Sequence, residues 1–183
     1  MPGNLKLIMP PEEIHLLVLR LAAELRRDYA DKNPVMVGVM KGAFVFLADL
    51  MRAMKIPSEI EFIRAGSYGR RDTPSTEVRI TNDVETGIKG RHVVLVEEIV
   101  DRGRTVSKVM EHLKGKSPAS LKLCSLFMKR VEDGHEVSPD YLGAEIDRGF
   151  VVGYGLDYKE EYRYLTGLYV VGAGGVGGEG GEE

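Results

Sequence analysis

Residues 12–30 carry apolar side chains every three or four positions, which is the spacing of an amphipathic α-helix. The apolar face comprises Ile14, Leu17, Val18, Leu21, Ala22 and Leu25. Acidic residues lie in the first turn, and Arg26 and Arg27 lie near the end, so the charges suit the helix dipole. Residues 43–54 and 105–114 have the same periodicity and predict two further helices.

Continuous apolar runs lie between these helices, and each run is short enough to be a buried β-strand. They lie at residues 35–40, 59–65, 92–98 and 120–128, with late, shorter runs at residues 150–158 and 168–172. Strands that alternate with helices predict an α/β fold with a parallel sheet and helices on both faces. The polar segment 66–76 predicts a loop. Because ligands of such folds bind at the carboxyl ends of the strands, the residues that follow each strand are the functional candidates.

Length and charge limit the domain organisation and the partners. A chain of 183 residues, 43% of them hydrophobic, predicts one domain with a substantial core, to which we assign residues 1–171. Residues 172–183 are rich in glycine and glutamate and predict a disordered tail. A net charge of −3 argues against nucleic-acid and membrane partners. The single cysteine, Cys124, and the absence of a signal-like or membrane-spanning run predict a cytoplasmic protein.

The stretch VVLVEEIVDRGRTV, residues 93–106, places three carboxylates beside a glycine where a predicted strand meets a predicted helix. Gly103 permits a close backbone approach or a positive φ, and successive amides at a helix N-terminus can bind a phosphate. Glu97, Glu98 and Asp101 can accept hydrogen bonds from sugar hydroxyls, directly or through a metal ion. The pattern predicts a ligand that has a phosphate beside a sugar. The alternative is an ordinary strand-to-helix turn with solvated acids.

At these residues the chain resembles the phosphoribosyltransferases. Their signature is an apolar strand, two acids, two apolar residues, then Asp, a small hydroxyl residue, Gly, any residue and Thr. The resemblance extends from about Val35 to Leu165. The segments MKGAFVFLADL, EFIRAGSYG, LKLCSLFMKR and FVVGYGLDYKEEYR are similar to the 6-oxopurine branch, the hypoxanthine-guanine phosphoribosyltransferases.

This resemblance implies both a fold and a reaction. The expected fold is the α/β phosphoribosyltransferase fold, with a small hood formed by the terminal segments. The expected reaction transfers 5-phosphoribosyl from phosphoribosyl pyrophosphate to hypoxanthine or guanine, and it gives IMP or GMP and pyrophosphate. Magnesium is the cofactor that the resemblance implies, and a homodimer or homotetramer is the assembly.

The resemblance also implies which residues contact the phosphoribosyl group. The expected ligands of the 5-phosphate are Asp101, Arg102, Gly103, Arg104 and Thr105. Glu97 and Glu98 are expected to face the ribose hydroxyls and the metal. Asp101 is also expected to lie near purine N7 and to accept its proton.

Other residues are implied to bind the purine. Lys129 would donate to the 6-oxygen, Phe150 would stack on the base, and the Val151 backbone would read its Watson–Crick edge. Asp157 is also counted among the purine-binding residues, and it would hold a second magnesium ion. Taken singly, Lys129 and Asp157 are ordinary surface charges, and Phe150 is equally well explained as a core aromatic.

The pyrophosphate end of the site is implied as well. Lys41 and Gly42 would shape the pyrophosphate loop, where the family has an uncommon cis peptide, and Arg163 would meet the pyrophosphate. Ser67 and Tyr68 lie on a loop that is expected to close over the site and to exclude water from a cation-like transition state. Without the resemblance, Lys41 and Gly42 form an ordinary turn and Arg163 is a surface charge.

Three residues depart from the family pattern. Glu98 stands where the family generally has aspartate, Arg102 where it has a small hydroxyl residue, and Arg104 where this branch often has lysine. These departures bear on affinity more than on the type of reaction.

Two other functions remain open from the sequence. One is a regulator that senses phosphoribosyl pyrophosphate and binds RNA or DNA. Such a protein needs a positively charged face, and the net charge of −3 argues against one. A related transferase could act on xanthine or on a pyrimidine. Lys129 favours 6-oxopurines, while the order of preference among hypoxanthine, guanine and xanthine stays open.

Overall fold

A computed structural model describes residues 4–67, 78–131, 134–147 and 149–172 of the chain. The elements follow in the order β1 (Leu5–Met9), α1 (Pro11–Tyr29), β2 (Val35–Met40), α2 (Phe44–Met54), β3 (Glu59–Ser67), β4 (Val78–Asn82), β5 (His92–Val100), α3 (Arg104–Gly115), β6 (Ser120–Lys129), β7 (Tyr141–Ile146), β8 (Val151–Val152) and β9 (Leu168–Val171). All three predicted helices and the four predicted central strands are present, so the α/β prediction is confirmed.

The central sheet has six strands in the order β4-β3-β2-β5-β6-β7. Strands β2, β3, β5, β6 and β7 are parallel, and β4 pairs with β3 in the antiparallel direction. In register, Gly38 of β2 lies opposite Val96 of β5, and Val100 of β5 lies opposite Met128 of β6. The carboxyl ends of β2, β5 and β6 therefore meet at one edge of the sheet.

Alternate residues of β5 supply two separate cores. Val94 and Val96 pack into the cluster that contains α1 and α2, whereas Val93 and Leu95 pack into the cluster that contains α3. All four side chains are fully buried. Burial of one such side chain contributes about 1.5–3 kcal/mol relative to an exposed one. Helices therefore cover both faces of the sheet, as the apolar runs predict.

A second, three-stranded sheet forms a hood from the two terminal segments. Its order is β1-β9-β8, and both pairings are antiparallel. Leu5 pairs with Val171, and the Gly172 amide donates to the Asn4 carbonyl oxygen over 3.1 Å. The hood that the resemblance implies is present. Beyond Gly172, where the predicted tail begins, residues 173–183 lie outside the described part of the chain.

Strands β1, β4 and β7 were not predicted, and each lies at the edge of a sheet. Strand β1 exposes three successive residues, and β4 and β7 are only partly buried. Edge strands of this kind lack the continuous apolar run that identifies a central strand. Their pairing depends on tertiary context rather than on local composition.

The predicted ends of three strands were wrong. Strand β3 continues past Ala65 to Ser67, so Gly66 and Ser67 belong to the strand and not to the predicted loop 66–76. Strand β5 continues past Glu98 to Val100, because β6 pairs with these last residues and satisfies their backbone groups. The late run 150–158 forms only the short β8, because Gly153, Tyr154 and Gly155 follow it with positive φ angles of 98°, 51° and 97°. Such angles cannot continue a strand. No helix in the described ranges is long and apolar enough to cross a membrane.

Candidate active site

A cavity of about 480 Å³ lies where β2 and β5 end. Its walls are the β2–α2 loop, with Lys41 and Gly42, and the continuous segment 97–106. Nine of the candidate residues that the sequence points to line this one cavity, namely Lys41, Gly42, Glu97, Glu98 and Asp101 to Thr105. The sheet edge that the strand order predicts as the ligand site therefore carries a single concave site built from the motif.

Gly103 shapes the phosphate cradle between β5 and α3. Its φ of +86° lies in the left-handed region, and it precedes the first residue of α3. A Cβ at this position would lie 2.9 Å from the Val137 Cγ2 atom and 3.3 Å from the Val137 amide nitrogen, so the position requires glycine. No side chain of the described residues caps this helix start. The first-turn amides of α3 are therefore available to an anion.

The two arginines that depart from the family pattern point away from the core. Both the Arg102 and Arg104 side chains are exposed. The Arg104 guanidinium pairs with the Glu136 carboxylate over 3.3 Å, and the Glu136 amide donates to the Arg102 carbonyl oxygen over 3.1 Å. The segment containing Glu136 and Val137 therefore supports the cradle from outside.

Glu97 and Glu98, the acid pair that lines the cavity, are half-buried and buried respectively. Burial raises the pKa of Glu98 to about 7, while the nearby Arg163 charge opposes the rise and the Asp157 charge adds to it. Burial, followed by the charge of Glu98, raises the pKa of Glu97 well above its ordinary value. The Oε2 atom of each carboxyl is buried and has no hydrogen-bond partner among the described residues.

These two buried oxygens fit a magnesium ion that arrives with a substrate. A buried polar atom without a partner calls for an ion, a water molecule or a ligand donor. Mg²⁺ is commonly held by one or two carboxylates together with water and substrate phosphates. Within the described ranges no group of three or more Asp, Glu, His or Cys residues could hold a metal by itself. Each of these carboxyl groups is therefore suited to contact an ion whose other ligands come from water and a phosphorylated ligand.

The loop after β2 brings Gly42 against this acid pair. A Cβ at residue 42 would overlap the carboxyl group of Glu98, so any larger residue here would displace that carboxyl group. The peptide bond between Met40 and Lys41 is cis, although neither residue is proline. A cis peptide at this loop is the feature that the resemblance implies.

Asp101 and Lys129 form an ion pair beside the cradle. The Lys129 Nζ atom lies 2.8 Å from the Asp101 Oδ2 atom, with the Lys129 side chain 17% exposed and the Asp101 side chain 61% exposed. The Lys129 carbonyl oxygen accepts a hydrogen bond from His135 Nε2 over 2.6 Å. His135 was not among the candidate residues, because a lone histidine in a polar segment gives no periodic signal.

The proposed purine residues Phe150 and Val151 lie on the hood rather than in the wall of the cavity. Phe150 is 44% exposed, so the alternative of a core aromatic is wrong. Its ring contacts Tyr158 edge to face, with centroids 5.3 Å apart and an interplanar angle of 82°. Val151 is buried and begins β8. Phe150 therefore presents ring surface that a flat ligand can stack on.

Another cavity, of about 490 Å³, adjoins Lys41 and is lined by positively charged side chains. Lys41, Arg64 and Arg163 line it together with Glu160. Arg64 was not a candidate, although a charged residue at the carboxyl end of a predicted parallel strand is a signal for such a position. Asp157, which also lies near this cluster, pairs with Arg163 over 2.7 Å. The structure thus brings together the residues that the resemblance implies for pyrophosphate.

Two of these cations, Lys41 and Arg163, form ion pairs with acids of the same cluster. Glu160 lies 2.7 Å from the Lys41 Nζ atom and 3.1 Å from the Arg163 Nη2 atom. Hydrogen bonds from Lys41 and then Arg163 lower the pKa of Glu160. The second oxygen of Asp157 accepts a hydrogen bond from the Glu160 amide over 2.9 Å. Of the closing-loop residues, Ser67 ends β3, and Tyr68 lies outside the described residues.

Comparison with known proteins places the chain in a family. The phosphoribosyl transferase domain model matches residues 10–159. A hypoxanthine phosphoribosyltransferase of Haemophilus influenzae is 39% identical over 165 residues, which cover 88% of this chain and 92% of that protein. A hypoxanthine-guanine phosphoribosyltransferase of Bacillus subtilis is 38% identical, with coverage of 91% and 92%.

Comparison with solved structures indicates the same family. The crystal structure of a hypoxanthine phosphoribosyltransferase from Staphylococcus aureus has a TM-score of 0.84 and 31% identity, and the match covers 91% of each chain. A hypoxanthine-guanine phosphoribosyltransferase from Bacillus anthracis has a TM-score of 0.84 and 34% identity, covering 92% of this chain and 99% of that one. The chain therefore belongs to the phosphoribosyltransferase family, in its hypoxanthine-guanine branch.

Proposed function

We propose that the cavity at the ends of β2 and β5 transfers 5-phosphoribosyl from phosphoribosyl pyrophosphate to hypoxanthine or guanine. The products are IMP or GMP and pyrophosphate, which makes the protein a purine salvage enzyme. The observation that carries this proposal is the Lys129–Asp101 ion pair, 2.8 Å long, beside the Gly103 cradle. A donor for a purine oxygen, an acceptor for a purine proton and a phosphate cradle thus lie together at the ends of the neighbouring strands β5 and β6.

Each group has a defined part in the reaction. The Gly103 cradle binds the 5-phosphate, and the unpaired oxygens of Glu97 and Glu98 accept hydrogen bonds from the ribose hydroxyls and hold the metal. When bound, magnesium neutralises charge on the leaving pyrophosphate. Asp101 accepts the N7 proton while the bond from a ring nitrogen to ribose C1′ forms and the bond from C1′ to pyrophosphate breaks.

Lys129 and Phe150 select the base. The Lys129 ammonium donates a hydrogen bond to the 6-oxygen. This hydrogen bond strengthens when N7 loses its proton, because negative charge then develops on the 6-oxygen. Phe150 stacks on the purine with its exposed ring, and the Val151 backbone reads the Watson–Crick edge. Asp157 holds a second metal ion if its ion pair with Arg163 opens.

At the other end of the site, Lys41, Arg64 and Arg163 provide three cations for the pyrophosphate. Closure of the loop that contains Ser67 and Tyr68 excludes water from the reacting carbon. We also infer that residues 1–171 act as one domain, that the metal is magnesium, and that the protein works as a homodimer or homotetramer in the cytoplasm. These inferences are supported by membership of the family.

One assay tests the proposal directly. Purified protein is mixed with phosphoribosyl pyrophosphate, magnesium and one base at a time, and nucleotide and pyrophosphate are measured together. We expect equal amounts of both products with hypoxanthine and guanine, and none when magnesium is replaced by a chelator. Binding of phosphoribosyl pyrophosphate without turnover of any base would instead identify a regulatory protein.

A further inference from the structure

Glu160 bridges the two cations that the proposed function assigns to pyrophosphate. Its Oε1 atom lies 2.7 Å from the Lys41 Nζ atom, and its Oε2 atom lies 3.1 Å from the Arg163 Nη2 atom. Each carboxylate oxygen thus faces a different cation. Two oxygens of one phosphate group can make the same pair of contacts, so the carboxylate occupies the place of an anionic ligand.

A tight turn fixes Glu160 in this position. Its φ is +66°, in the left-handed region that residues other than glycine rarely adopt. The Glu160 amide donates to the Asp157 Oδ2 atom over 2.9 Å, and the Tyr158 amide donates to the Glu161 carbonyl oxygen over 3.1 Å. The turn therefore directs the carboxylate at Lys41, which is 119 residues away along the chain.

The contacts are weak enough to be exchanged. The Lys41 side chain is 44% exposed and that of Glu160 is 63% exposed. Exposed ion pairs of this kind shift an equilibrium by roughly fivefold at most. A ligand with several phosphate oxygens can displace a single carboxylate from such pairs. When the ligand leaves, the carboxylate returns and the cations do not remain unpaired.

We propose that Glu160 is a positioning residue that acts as an internal counter-anion of the pyrophosphate subsite. It holds the Lys41 side chain in its binding position while the subsite is empty, and it competes with pyrophosphate for Lys41 and, beside Asp157, for Arg163. This competition lowers the affinity for the product and accelerates its release. The inference rests on the proposed function in one respect, namely that Lys41 and Arg163 bind pyrophosphate.

The first experiment removes the charge of Glu160 and keeps its size. Glu160→Gln is compared with the native protein by calorimetric titration with magnesium pyrophosphate and by product inhibition of the assay. We expect pyrophosphate to bind about 3- to 20-fold more tightly, since two exposed ion pairs no longer compete. The inhibition constant and the dissociation rate of pyrophosphate should fall by a similar factor. A merely structural role would weaken binding instead.

Glu161→Gln is the matched control. Glu161 is the next residue in the same turn, it is exposed, and its substitution changes the net charge equally. We expect its affinity for pyrophosphate to stay within about twofold of the native value, because within the described residues the Glu161 carboxylate pairs with neither Lys41 nor Arg163, and an exposed charge at a distance is strongly screened. An equal gain in both variants would overturn the proposal and assign the effect to net charge.

Lys41→Met separates this inference from the proposed function. If Lys41 contacts pyrophosphate, the variant binds it more weakly, and Glu160→Gln has a smaller effect in the Lys41→Met background than in the native one. Weaker binding by Lys41→Met without any gain from Glu160→Gln would overturn the role of Glu160 alone. Unchanged binding by Lys41→Met would overturn the pyrophosphate subsite itself, and the counter-anion with it.

Discussion

The Glu98 carboxylate lies directly against the α-carbon of Gly42, in the space that a Cβ at residue 42 would fill. The resemblance implies the shorter aspartate at this position, so Glu98 carries its carboxylate one methylene further toward the loop after β2. This relationship joins the proposed pyrophosphate loop to the proposed metal and ribose site.

Gly42→Ala should therefore reduce activity mainly by displacing Glu98. The obstructing atoms belong to the end of a side chain, so we expect a small change in melting temperature. A displacement of about 1 Å in a reacting geometry can cost on the order of 100-fold in kcat/KM. Adding Glu98→Asp, which removes one methylene, should restore a large part of the loss. If the double variant is no more active than Gly42→Ala, the contact with Glu98 is not the cause.

The raised pKa of Glu98 predicts a pH-dependent stability for the protein without ligands. Burial raises the pKa to about 7. An unfolded chain releases the same proton near pH ~4.3. The folded state therefore binds more protons between these values, and the free energy of unfolding falls as the pH rises through this window.

Glu98→Gln, which cannot ionise, should remove the part of this dependence that comes from Glu98, while Glu97, whose pKa is also raised, keeps its own part. We expect the variant to gain up to about 3 kcal/mol relative to the native protein as the pH is raised from about 5 to 8. Thermal unfolding of both proteins at the two pH values, without magnesium, measures the difference. Equal shifts in the two proteins would show that Glu98 ionises normally in the folded state.

Asp101→Asn tests the proposed proton acceptor. The amide keeps the size of the side chain but cannot take a proton at neutral pH, so turnover should fall about 10²- to 10⁴-fold. Binding of phosphoribosyl pyrophosphate should change much less, because the Gly103 cradle remains. The Asp101 side chain is 61% exposed, so the melting temperature should also be nearly unchanged. A variant that loses only affinity would make Asp101 a structural member of the cradle.

Lys129 predicts strong discrimination against adenine. An ammonium facing the 6-amino group of adenine places donor against donor, whereas the 6-oxygen of hypoxanthine accepts. We expect kcat/KM for adenine to be lower by about 10⁴-fold or more. In Lys129→Met the ratio between the two bases should shrink, with hypoxanthine losing most. Comparable use of adenine and hypoxanthine by the native protein would contradict the 6-oxopurine assignment.

The sequence predicts the centre of the fold well, because central parallel strands are buried on both faces. The apolar runs of β2, β5 and β6 and the periodicity of α1 locate both cores. The motif of residues 93–106 likewise locates the cradle, since all its chemistry lies in one continuous segment. Partly exposed strands at the sheet edges give a weaker pattern, so β1, β4 and β7 were missed.

Contacts between distant segments could not be predicted in the same way. Glu160 and Lys41 are 119 residues apart, and neither shows a local pattern that marks the pair. The Gly42–Glu98 fit depends on the register of β2 against β5, which a single sequence does not specify. Arg64 differs from these contacts, because its place at the carboxyl end of a predicted strand is a signal that the sequence does contain.

The arrangement of the hood has a consequence for synthesis of the chain on the ribosome. Strand β1 is made first, yet within the described residues its strand partner is β9, which is completed only at Val171. Strand β8 also pairs with β9. The central strands and the Gly103 cradle have all been synthesised before then, so they can fold first. We therefore expect the surface built on Phe150 and β8, which would recognise the purine, to fold after the central sheet.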